Sequence, residues 1–310
     1  MNRTALLQML AAHPDGVGEQ QLMRRFGCSR TAIFTAVEAL RQDEGLGIDQ
    51  ADTVFRLSDP GGWGPATLSW RAGRPVDWWA ECSSTNKLAR ERLAGLPPGT
   101  PVAQLPVVVA DHQTQGRGRR GRVWQAQLGA NLLFSVVLRP PTLPSDATRA
   151  VLAWAAAMAE VLDVGLKWPN DLVVRDGHRM QKLGGLLAEL DTTTHGTAGT
   201  ARTHTIILGV GINVNQQQFE GLPDATSLAR LGRRVDDRAA LLGRLVRAID
   251  RVDLTAPGIL DRWRERAVML GEEVVVGEVR GVATGLRSDG ALIVGGQAVL
   301  AGDVELVQDG

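Results

Sequence analysis

Apolar residues recur every three or four positions in three segments of the first 41 residues, which predicts three short helices. Leu6 and Leu10 lie on the apolar face of the first helix. The second helix is predicted over 19–25. The third begins at Ser29, a residue type that caps helix N-termini, and runs to about Arg41.

Two short extended segments follow, near Ile48 and over Val54–Leu57. Helix, turn, helix and hairpin in this order are typical of a winged helix-turn-helix, which we predict for residues 1–59. The run Asp59–Pro65 is rich in glycine and proline, which sustain neither a helix nor a central strand. We therefore predict a linker over 60–76.

Beyond the linker, strands and helices alternate as far as residue 269, which predicts an α+β or α/β core of catalytic size over 77–269. The strands are predicted over Val76–Glu81, Val107–Asp111, Asn131–Leu138, Asp171–Arg175, Leu183–Leu190 and Thr205–Gly211. The helices are predicted over Ser84–Leu93, Ala147–Leu162, Asp236–Val252 and Ala256–Met269. Short β segments separated by glycines then predict a small barrel over 270–310.

The net charge is zero, because 34 Lys and Arg residues balance 34 Asp and Glu residues. Any binding to nucleic acid would therefore be local. The two cysteines, Cys28 and Cys82, and the five histidines show no metal-ligand spacing. Unpaired cysteines favour a reducing compartment, and the longest apolar stretch, Val151–Leu162, is too short to span a bilayer. We expect a soluble, cytoplasmic protein.

The most unusual segment is an arginine- and glycine-rich loop, Gly116–Arg122, which follows the apolar strand Val107–Ala110. No acidic residue occurs from His112 through Ser145, where there are five arginines. Guanidinium groups bind phosphate oxygens in pairs, and glycines let backbone N–H groups approach phosphates. The loop therefore predicts a site for an anionic ligand.

Three other interpretations of this loop are weaker. It matches the pattern GxGxxG, but a dinucleotide site needs a following helix and an acidic residue about 20 positions further on. The sequence has another strand there and no acid. A nucleic-acid-binding arginine–glycine segment would be longer and would lie outside a folded core. A plain solvated loop would hold four arginines within six residues without counter-ions.

Polar residues at the ends of other core strands add candidate chemistry. Lys167 suits a phosphate, and Asp171 suits magnesium or the orientation of Lys167, although a surface salt bridge between them is the simpler explanation. Lys182 begins an apolar strand, where a buried amine needs an anionic partner. Asn213 ends another strand, where it would pair with a purine edge or simply form a turn.

Three small polar residues, Ser84, Thr85 and Asn86, open the first helix of the core. Helix capping explains them sufficiently, and they also suit hydrogen bonds to a ureido ring.

These segments, in this order, resemble the biotin–protein ligases, specifically the bifunctional bacterial form that is also the biotin operon repressor. The family's signatures are recognisable as Ser84-Thr85-Asn86, Gly116-Arg117-Gly118-Arg119-Arg120-Gly121, Lys167-Trp168-Pro169-Asn170-Asp171, Lys182-Leu183-Gly184-Gly185 and Gly209-Val210-Gly211-Ile212-Asn213. The resemblance covers nearly the whole chain. It implies an α+β protein with a winged helix-turn-helix, a central mixed-sheet catalytic domain of the biotin/lipoate-ligase kind, and a C-terminal SH3-like β-barrel.

The resemblance also implies a role for each matching residue. Biotin would contact Ser84, Thr85, Asn86, Gln113, Arg117, Gly118, Arg119 and Lys182. ATP and the adenylate would contact Arg119, Arg122, Trp124, Asn131, Lys167 and Asn213. The catalytic residues would be Lys182, Arg119 and Asp171, with Asp171 assisting Mg²⁺ or the transfer step. The implied partners are the biotin carboxyl carrier protein of acetyl-CoA carboxylase, operator DNA and a second copy of the chain, joined through the core sheet.

The implied chemistry accounts for these residue types. Biotin and ATP are both anions, and Arg119 and Lys182 would offset their repulsion when the biotin carboxylate attacks the α-phosphorus. The product, biotinyl-5′-AMP, is a reactive mixed anhydride. A loop that orders around it would exclude water until the carrier lysine reacts.

The first 60 residues match DNA poorly in charge, because six arginines face eight acidic residues, a balance of −2. The third helix offers Ser29, Arg30, Thr31 and Thr35 as DNA contacts, but the wing segment 49–52 is acidic. Two alternatives stay open for this domain: operator binding, or dimerisation and regulation of the active site.

Two other functions compete with the ligase. A lipoate-type acyl-adenylating ligase would have a wider tunnel and a different glycine/arginine signature. A transcription regulator whose core only senses a ligand would not need Lys182, Asp171 and the arginine loop together.

Overall fold

A computed structural model describes residues 1–97, 99–140, 146–177, 179–191 and 205–307. The α-helices are α1 (Arg3–Ala12), α2 (Glu19–Phe26), α3 (Arg30–Glu44), α4 (Pro65–Ala72), α5 (Thr85–Ala94), α6 (Ala147–Leu162), α7 (Arg238–Asp250) and α8 (Asp261–Arg266). The strands are β1 (Val17–Gly18), β2 (Gly47–Ala51), β3 (Val54–Asp59), β4 (Val76–Cys82), β5 (Val107–Gln113), β6 (Leu132–Leu138), β7 (Gly165–Lys167), β8 (Asp171–Asp176), β9 (Arg179–Asp191), β10 (Thr205–Ile212), β11 (Glu273–Val276), β12 (Val279–Leu286), β13 (Leu292–Val294), β14 (Gln297–Val299) and β15 (Val304–Leu306). The chain forms two compact units, one of Met1–Trp78 with Val235–Arg247, the other of Trp79–Arg234 with Ala248–Gly310.

The first unit contains the three helices and the hairpin expected from the apolar pattern. Gly27 adopts a left-handed conformation (φ 58°) and ends α2, and the Ser29 hydroxyl accepts a hydrogen bond from the Ala32 N–H at the start of α3. Strands pair antiparallel in the order β1-β3-β2. Strand β1 was not predicted, because two residues are too short to show a period.

Helix α4 lies within the segment predicted as a linker, and α3 holds its first turn. The carboxylate of Glu44, the last residue of α3, accepts hydrogen bonds from the backbone N–H groups of Ala66 (3.1 Å) and Thr67 (2.8 Å) and from the Thr67 hydroxyl (2.7 Å). Gly64 admits this side chain, since a Cβ there would lie 2.4 Å from the Glu44 Cγ. The glycine- and proline-rich run ends at Pro65, a residue suited to the first helical position.

We expect Glu44→Ala to lower the free energy of unfolding of the first unit by about 2–3 kcal/mol, because it leaves buried N–H groups without an acceptor. Urea denaturation, with hydrogen exchange of the α4 amides, measures this loss. Glu38→Ala is the matched control, since Glu38 is exposed on the same helix and contacts only Arg41 and Gln42 among the described residues. An equal loss in both variants would contradict the capping role.

The second unit is built on a seven-stranded sheet in the order β4-β5-β6-β10-β9-β8-β7. The ladders from β5 to β7 are antiparallel. At the end of β4, the Thr114 N–H donates to the Cys82 carbonyl and the Gln115 N–H to the Ser83 carbonyl. The second hydrogen bond lies one residue further along both segments, so the two segments run in the same direction and β4 is parallel to β5. The predicted α+β class and mixed central sheet are confirmed.

One predicted helix in this unit is shorter in the structure, and one strand was missed. Helical residues occupy only Asp261–Arg266 of the predicted helix Ala256–Met269, because Pro257 and Gly258 (φ 67°) interrupt its beginning. Strand β7 was not predicted.

The last five strands form a separate antiparallel sheet in the order β14-β13-β12-β11-β15. Within the described ranges, no helix combines the length and the apolar character that crossing a membrane requires.

Candidate active site

A cavity of about 550 Å³ in the second unit brings most of the predicted site residues together. Its lining includes Ser84, Thr85, Asn86, Gln113, Arg117, Gly118, Arg119, Arg122, Trp124, Asp171, Lys182 and Asn213. Two predicted residues, Asn131 and Lys167, lie outside this lining. The volume falls within the range of small-molecule sites, and the lining is polar at both ends.

The neutral end of the cavity is formed by the start of α5 and the end of β5. Ser84 occupies the N-cap position and is buried, yet among the described residues its side chain makes no capping hydrogen bond. The Thr85 N–H donates to the Gln113 Oε1 at 2.8 Å, which fixes that amide and leaves its Nε2 as a donor for a ligand. Capping therefore does not account for Ser84, which lines the cavity.

The cationic end of the cavity centres on Lys182 in β9. Its Nζ lies 2.7 Å from the Asp171 Oδ1 and 5.8 Å from the ring centroid of Trp124. The predicted anionic partner of Lys182 is thus Asp171, on the neighbouring strand β8. Lys167 is opposite Asp171 in the β7–β8 ladder, but the ion pair is with Lys182.

The arginine loop is anchored by contacts that the sequence did not reveal. The Arg119 Nη1 donates to the Asn170 Oδ1 and to the Gly302 carbonyl, both at 3.2 Å. Asp303 lies 3.5 Å from Arg119, 3.6 Å from Arg120, and pairs with Arg122. Burial lowers the pKa of the Arg119 guanidinium, and the charges of Asp303 and Asp171 oppose that shift. A carboxylate from far along the chain thus balances part of the loop's charge, for which the sequence predicted only an anionic ligand.

Asn213 lines the cavity, and its side-chain oxygen has no hydrogen-bond partner among the described residues. Its backbone N–H donates to the Leu183 carbonyl, and its Nδ2 donates to the Thr226 carbonyl at 3.0 Å. The Oδ1 is fully buried, and an unsatisfied buried acceptor costs about 1–3 kcal/mol. The donor half of the predicted purine contact is thus used within the protein, and the acceptor half has no accessible surface at the cavity.

Asn131 and Lys167 have other positions. The Asn131 Oδ1 accepts from the Val214 N–H at 3.0 Å, and its Nδ2 donates to the Gln216 Oε1. Asn131 therefore braces the segment that follows β10 and carries Asn213. Lys167 ends β7 and does not line the cavity.

Several lining residues were not predicted. They include Lys87, Arg90, Glu189, Asp303 and most residues of the segment 219–225. The Lys182 N–H donates to the Asp224 carbonyl and the Thr226 N–H to the Lys182 carbonyl, which ties this segment to β9. It carries no periodic apolar pattern, so the sequence offered no signal beyond proximity to Asn213.

The predicted DNA contacts of the first unit lie at the start of α3, and most are engaged within the unit. Arg30 donates from Nε to the Glu19 carboxylate at 2.9 Å and stacks 5.2 Å from the Phe34 ring centroid. The Thr35 hydroxyl donates to the Thr31 carbonyl. Ser29 serves as the cap described above.

The half-buried thiol of Cys82 precedes the site. Burial raises the pKa of Cys82 to about 11, and the charge of Glu81 adds to the shift. At pH 8 only about one thiol in a thousand is then the reactive thiolate. In a Cys28→Ser variant, we expect iodoacetamide to label Cys82 about tenfold faster for each pH unit up to about 11. A plateau near pH 9 in a stopped-time labelling assay would contradict this.

The comparisons with known proteins agree with this geometry. A model of the biotin/lipoate A/B protein ligase family matches residues 83–213. The biotin--[acetyl-CoA-carboxylase] ligase of Mycobacterium tuberculosis is 35% identical over 254 residues, which are 74% of this chain and 88% of that protein. The bifunctional ligase/repressor BirA of Escherichia coli is 30% identical over 322 residues, 94% of this chain and 93% of that protein.

A solved structure supports the same relationship. The biotin protein ligase from Aquifex aeolicus in complex with biotin and ATP superposes with a TM-score of 0.56 at 27% identity, covering 76% of this chain and 99% of that one. The resemblance drawn from the five motifs is confirmed: this chain belongs to the biotin–protein ligase family.

Proposed function

We propose that this chain is an ATP-dependent biotin–protein ligase, a biotin–[acetyl-CoA-carboxylase] ligase acting in the cytoplasm. It would form biotinyl-5′-AMP and then transfer biotin to a lysine of biotin carboxyl carrier protein. One observation supports this most strongly: Lys182 and Arg119 share a cavity with the neutral cluster Ser84, Thr85 and Asn86. Biotin has matching ends, a carboxylate and a neutral ureido ring.

In the first step, a biotin carboxylate oxygen bonds to the α-phosphorus of ATP, and the bond to pyrophosphate breaks. Lys182 forms an ion pair with Asp171, with 2.7 Å between its Nζ and the Asp171 Oδ1. Its ammonium group has three N–H donors, and we propose that these serve the biotin carboxylate and a phosphoryl oxygen. Arg119 adds a second positive charge, so the approach of two anions is stabilised where negative charge builds up.

In the second step, the amine of the carrier lysine attacks the biotinyl carbonyl carbon, and AMP leaves. Asp171 is the carboxylate beside Lys182 in the cavity, so we assign to it the assisting role in transfer. The arginine loop, anchored by Asn170 and Asp303, would shield the anhydride from water.

Magnesium would enter with ATP. The described residues contain no cluster of three or more His, Cys, Asp or Glu side chains suited to a metal. Nucleotide-bound Mg²⁺ needs only one or two carboxylates in addition to the phosphates, and Asp171 fits that requirement. When bound, the ion would neutralise phosphate charge.

The test is biotin-dependent exchange of labelled pyrophosphate into ATP. We expect exchange with biotin and none with lipoate, and a larger thermal shift with biotin than with lipoate. Exchange driven by lipoate would favour the lipoate-ligase alternative. Ligand binding without exchange would favour a sensing regulator.

We propose a second activity, repression of biotin operon transcription with biotinyl-5′-AMP as corepressor. Its support is the relationship to BirA of Escherichia coli, a protein named a bifunctional ligase/repressor, which covers 94% of this chain. We propose that residues 1–59 form a winged helix-turn-helix and that 270–310 form an SH3-like barrel that completes the cavity through Asp303. Two features oppose DNA binding: Arg30 is paired with Glu19, and the wing segment 49–52 is acidic. DNA binding is therefore tested directly.

That test is a gel-shift assay with DNA upstream of the host's biotin synthesis genes. A shift that requires both biotin and ATP, and that Arg30→Ala reduces, would support repression. We expect a homodimer when the adenylate is bound, which sedimentation in the same mixtures measures. Dimerisation without a gel shift would favour the alternative that the first unit serves assembly or regulation.

A further inference from the structure

The neutral end of the cavity continues into a chain of hydrogen bonds that reaches a charged pair. Its members, in spatial order, are Gln113, Thr85, Ser135, Asn86, Glu189 and Arg90. The outer members, Glu189 and Arg90, also line the cavity. The proposed chemistry has so far used only the inner ones.

Glu189 makes the shorter of two hydrogen bonds that hold the nitrogen of the Asn86 amide; the other, at 3.4 Å, is to the Leu187 carbonyl. The Glu189 Oε2 accepts from the Asn86 Nδ2 at 3.1 Å and from the Arg90 Nη2 at 3.2 Å. A carboxylate only accepts hydrogen bonds, so the amide nitrogen must face it. The Asn86 Oδ1 then faces Ser135, whose hydroxyl donates to it at 2.6 Å.

The surroundings make this orientation hard to change. Ser135 is fully buried, and Asn86 is 6% exposed. Gly209 on β10 is required to admit the amide, since a Cβ there would lie 2.4 Å from the Asn86 Oδ1. A reversed amide would place an oxygen against the Glu189 carboxylate and an N–H group against the backbone of β10.

Arg90 cancels the charge that Glu189 brings. The Glu189 side chain is 28% exposed and lies on the cavity wall. Alone, it would place a negative charge at the end that receives a neutral ring. Paired with Arg90, it keeps its strength as an acceptor, and the pair itself carries no net charge. The positive charge that remains at this end is that of Lys87.

We infer that Glu189 is a positioning residue for the ureido ring: it holds the Asn86 amide in one orientation, and Arg90 keeps this end selective for a neutral cyclic urea over a cationic analogue. The inference rests on the proposed function and deepens it. It assigns to Glu189 and Arg90 a role in affinity and selectivity and none in the adenylation step.

The first test compares Glu189→Gln with the matched control Glu91→Gln, an exposed residue on α5. A glutamine can donate as well as accept, so only the longer hydrogen bond to the Leu187 carbonyl, at 3.4 Å, still specifies where the Asn86 amide nitrogen lies. We expect the KM for biotin in pyrophosphate exchange to rise about tenfold or more, with kcat and the KM for ATP unchanged. The control keeps the wild-type KM. A loss of stability or packing would instead lower kcat and the melting temperature together.

The second test uses 2-iminobiotin, which is a cation at neutral pH. Arg90→Gln leaves the Glu189 charge unbalanced, so we expect the ratio of the two KM values to shift toward 2-iminobiotin. The double variant Arg90→Gln/Glu189→Gln removes both charges and returns this ratio to near that of the wild type. The comparison of Arg90→Gln with the wild type can be made even if the Glu189→Gln single variant does not fold.

The outcomes separate the two hypotheses. If the wild type shows no biotin-dependent exchange, the proposed function itself fails. If the wild type is active but Glu189→Gln keeps its KM for biotin and Arg90→Gln keeps its selectivity, the positioning role is overturned and the ligase assignment stands.

Discussion

Lys182→Ala is expected to reduce biotin-dependent pyrophosphate exchange by about 10²- to 10³-fold while the protein stays folded. The Lys182 amine is the cavity cation nearest to Asp171, and it has donors for both reacting anions. Its removal takes away a positive charge that stabilises the transition state, in which the biotin carboxylate approaches the α-phosphorus of ATP. The side chain is partly exposed, so the variant leaves no cavity in the apolar core.

The measurement is initial-rate exchange, together with the melting temperature of the variant. Lys182→Arg keeps the charge but changes the shape of the donor group, and we expect a rate between those of Lys182→Ala and the wild type. An intact exchange rate in Lys182→Ala would contradict the proposed mechanism. A fall in rate accompanied by unfolding would show that Lys182 supports the sheet instead.

Arg119→Gly is expected to release the reactive intermediate, with free biotinyl-5′-AMP and labelling of bystander proteins rising about tenfold or more. Arg119 ties the loop to Asn170, Gly302 and Asp303, and a glycine makes none of these contacts. It would also place glycines at positions 118, 119 and 121, which increases the freedom of the loop.

Arg120→Gly is the matched control within the same loop. Arg120 is exposed and has a positive φ of 56°, a conformation that glycine adopts readily, and Arg119 keeps its anchors. We expect far less leakage from this variant. Chromatography of free adenylate and streptavidin blots of added albumin compare the two. Equal leakage would mean that general loosening of the loop, rather than the contacts of Arg119, controls retention.

The sequence predicted the features that depend on local patterns and motifs. Three of these signals span only a few residues: the helical spacing of Leu6 and Leu10, the cap at Ser29 and the run of arginines. The first two indicated helices that the structure contains, and the third indicated a loop that lines the cavity. Helix α4 was missed because its first turn is held by Glu44, about 20 positions earlier. Local composition carries no trace of such a contact.

The partners within the site were harder to predict for the same reason. Asp303 pairs with three arginines of the loop from about 180 positions away, and Glu189 holds Asn86 from about 100 positions away. These contacts exist only once the sheets have formed. Asn131 and Lys167 show the converse. Lys167 begins a matching segment and Asn131 directly precedes β6, yet neither residue lines the cavity.

The cations around the proposed anhydride have a further consequence for the enzyme's own survival. The chain has three lysines, Lys87, Lys167 and Lys182, and its other basic side chains are arginines and histidines. A guanidinium keeps its proton and does not act as a nucleophile, so the arginine loop can surround an acylating reagent without consuming it. Lys182 is held beside Asp171 as an ion pair. A catalyst built in this way can retain an amine-reactive product and resist modifying itself, which favours acylation of the carrier.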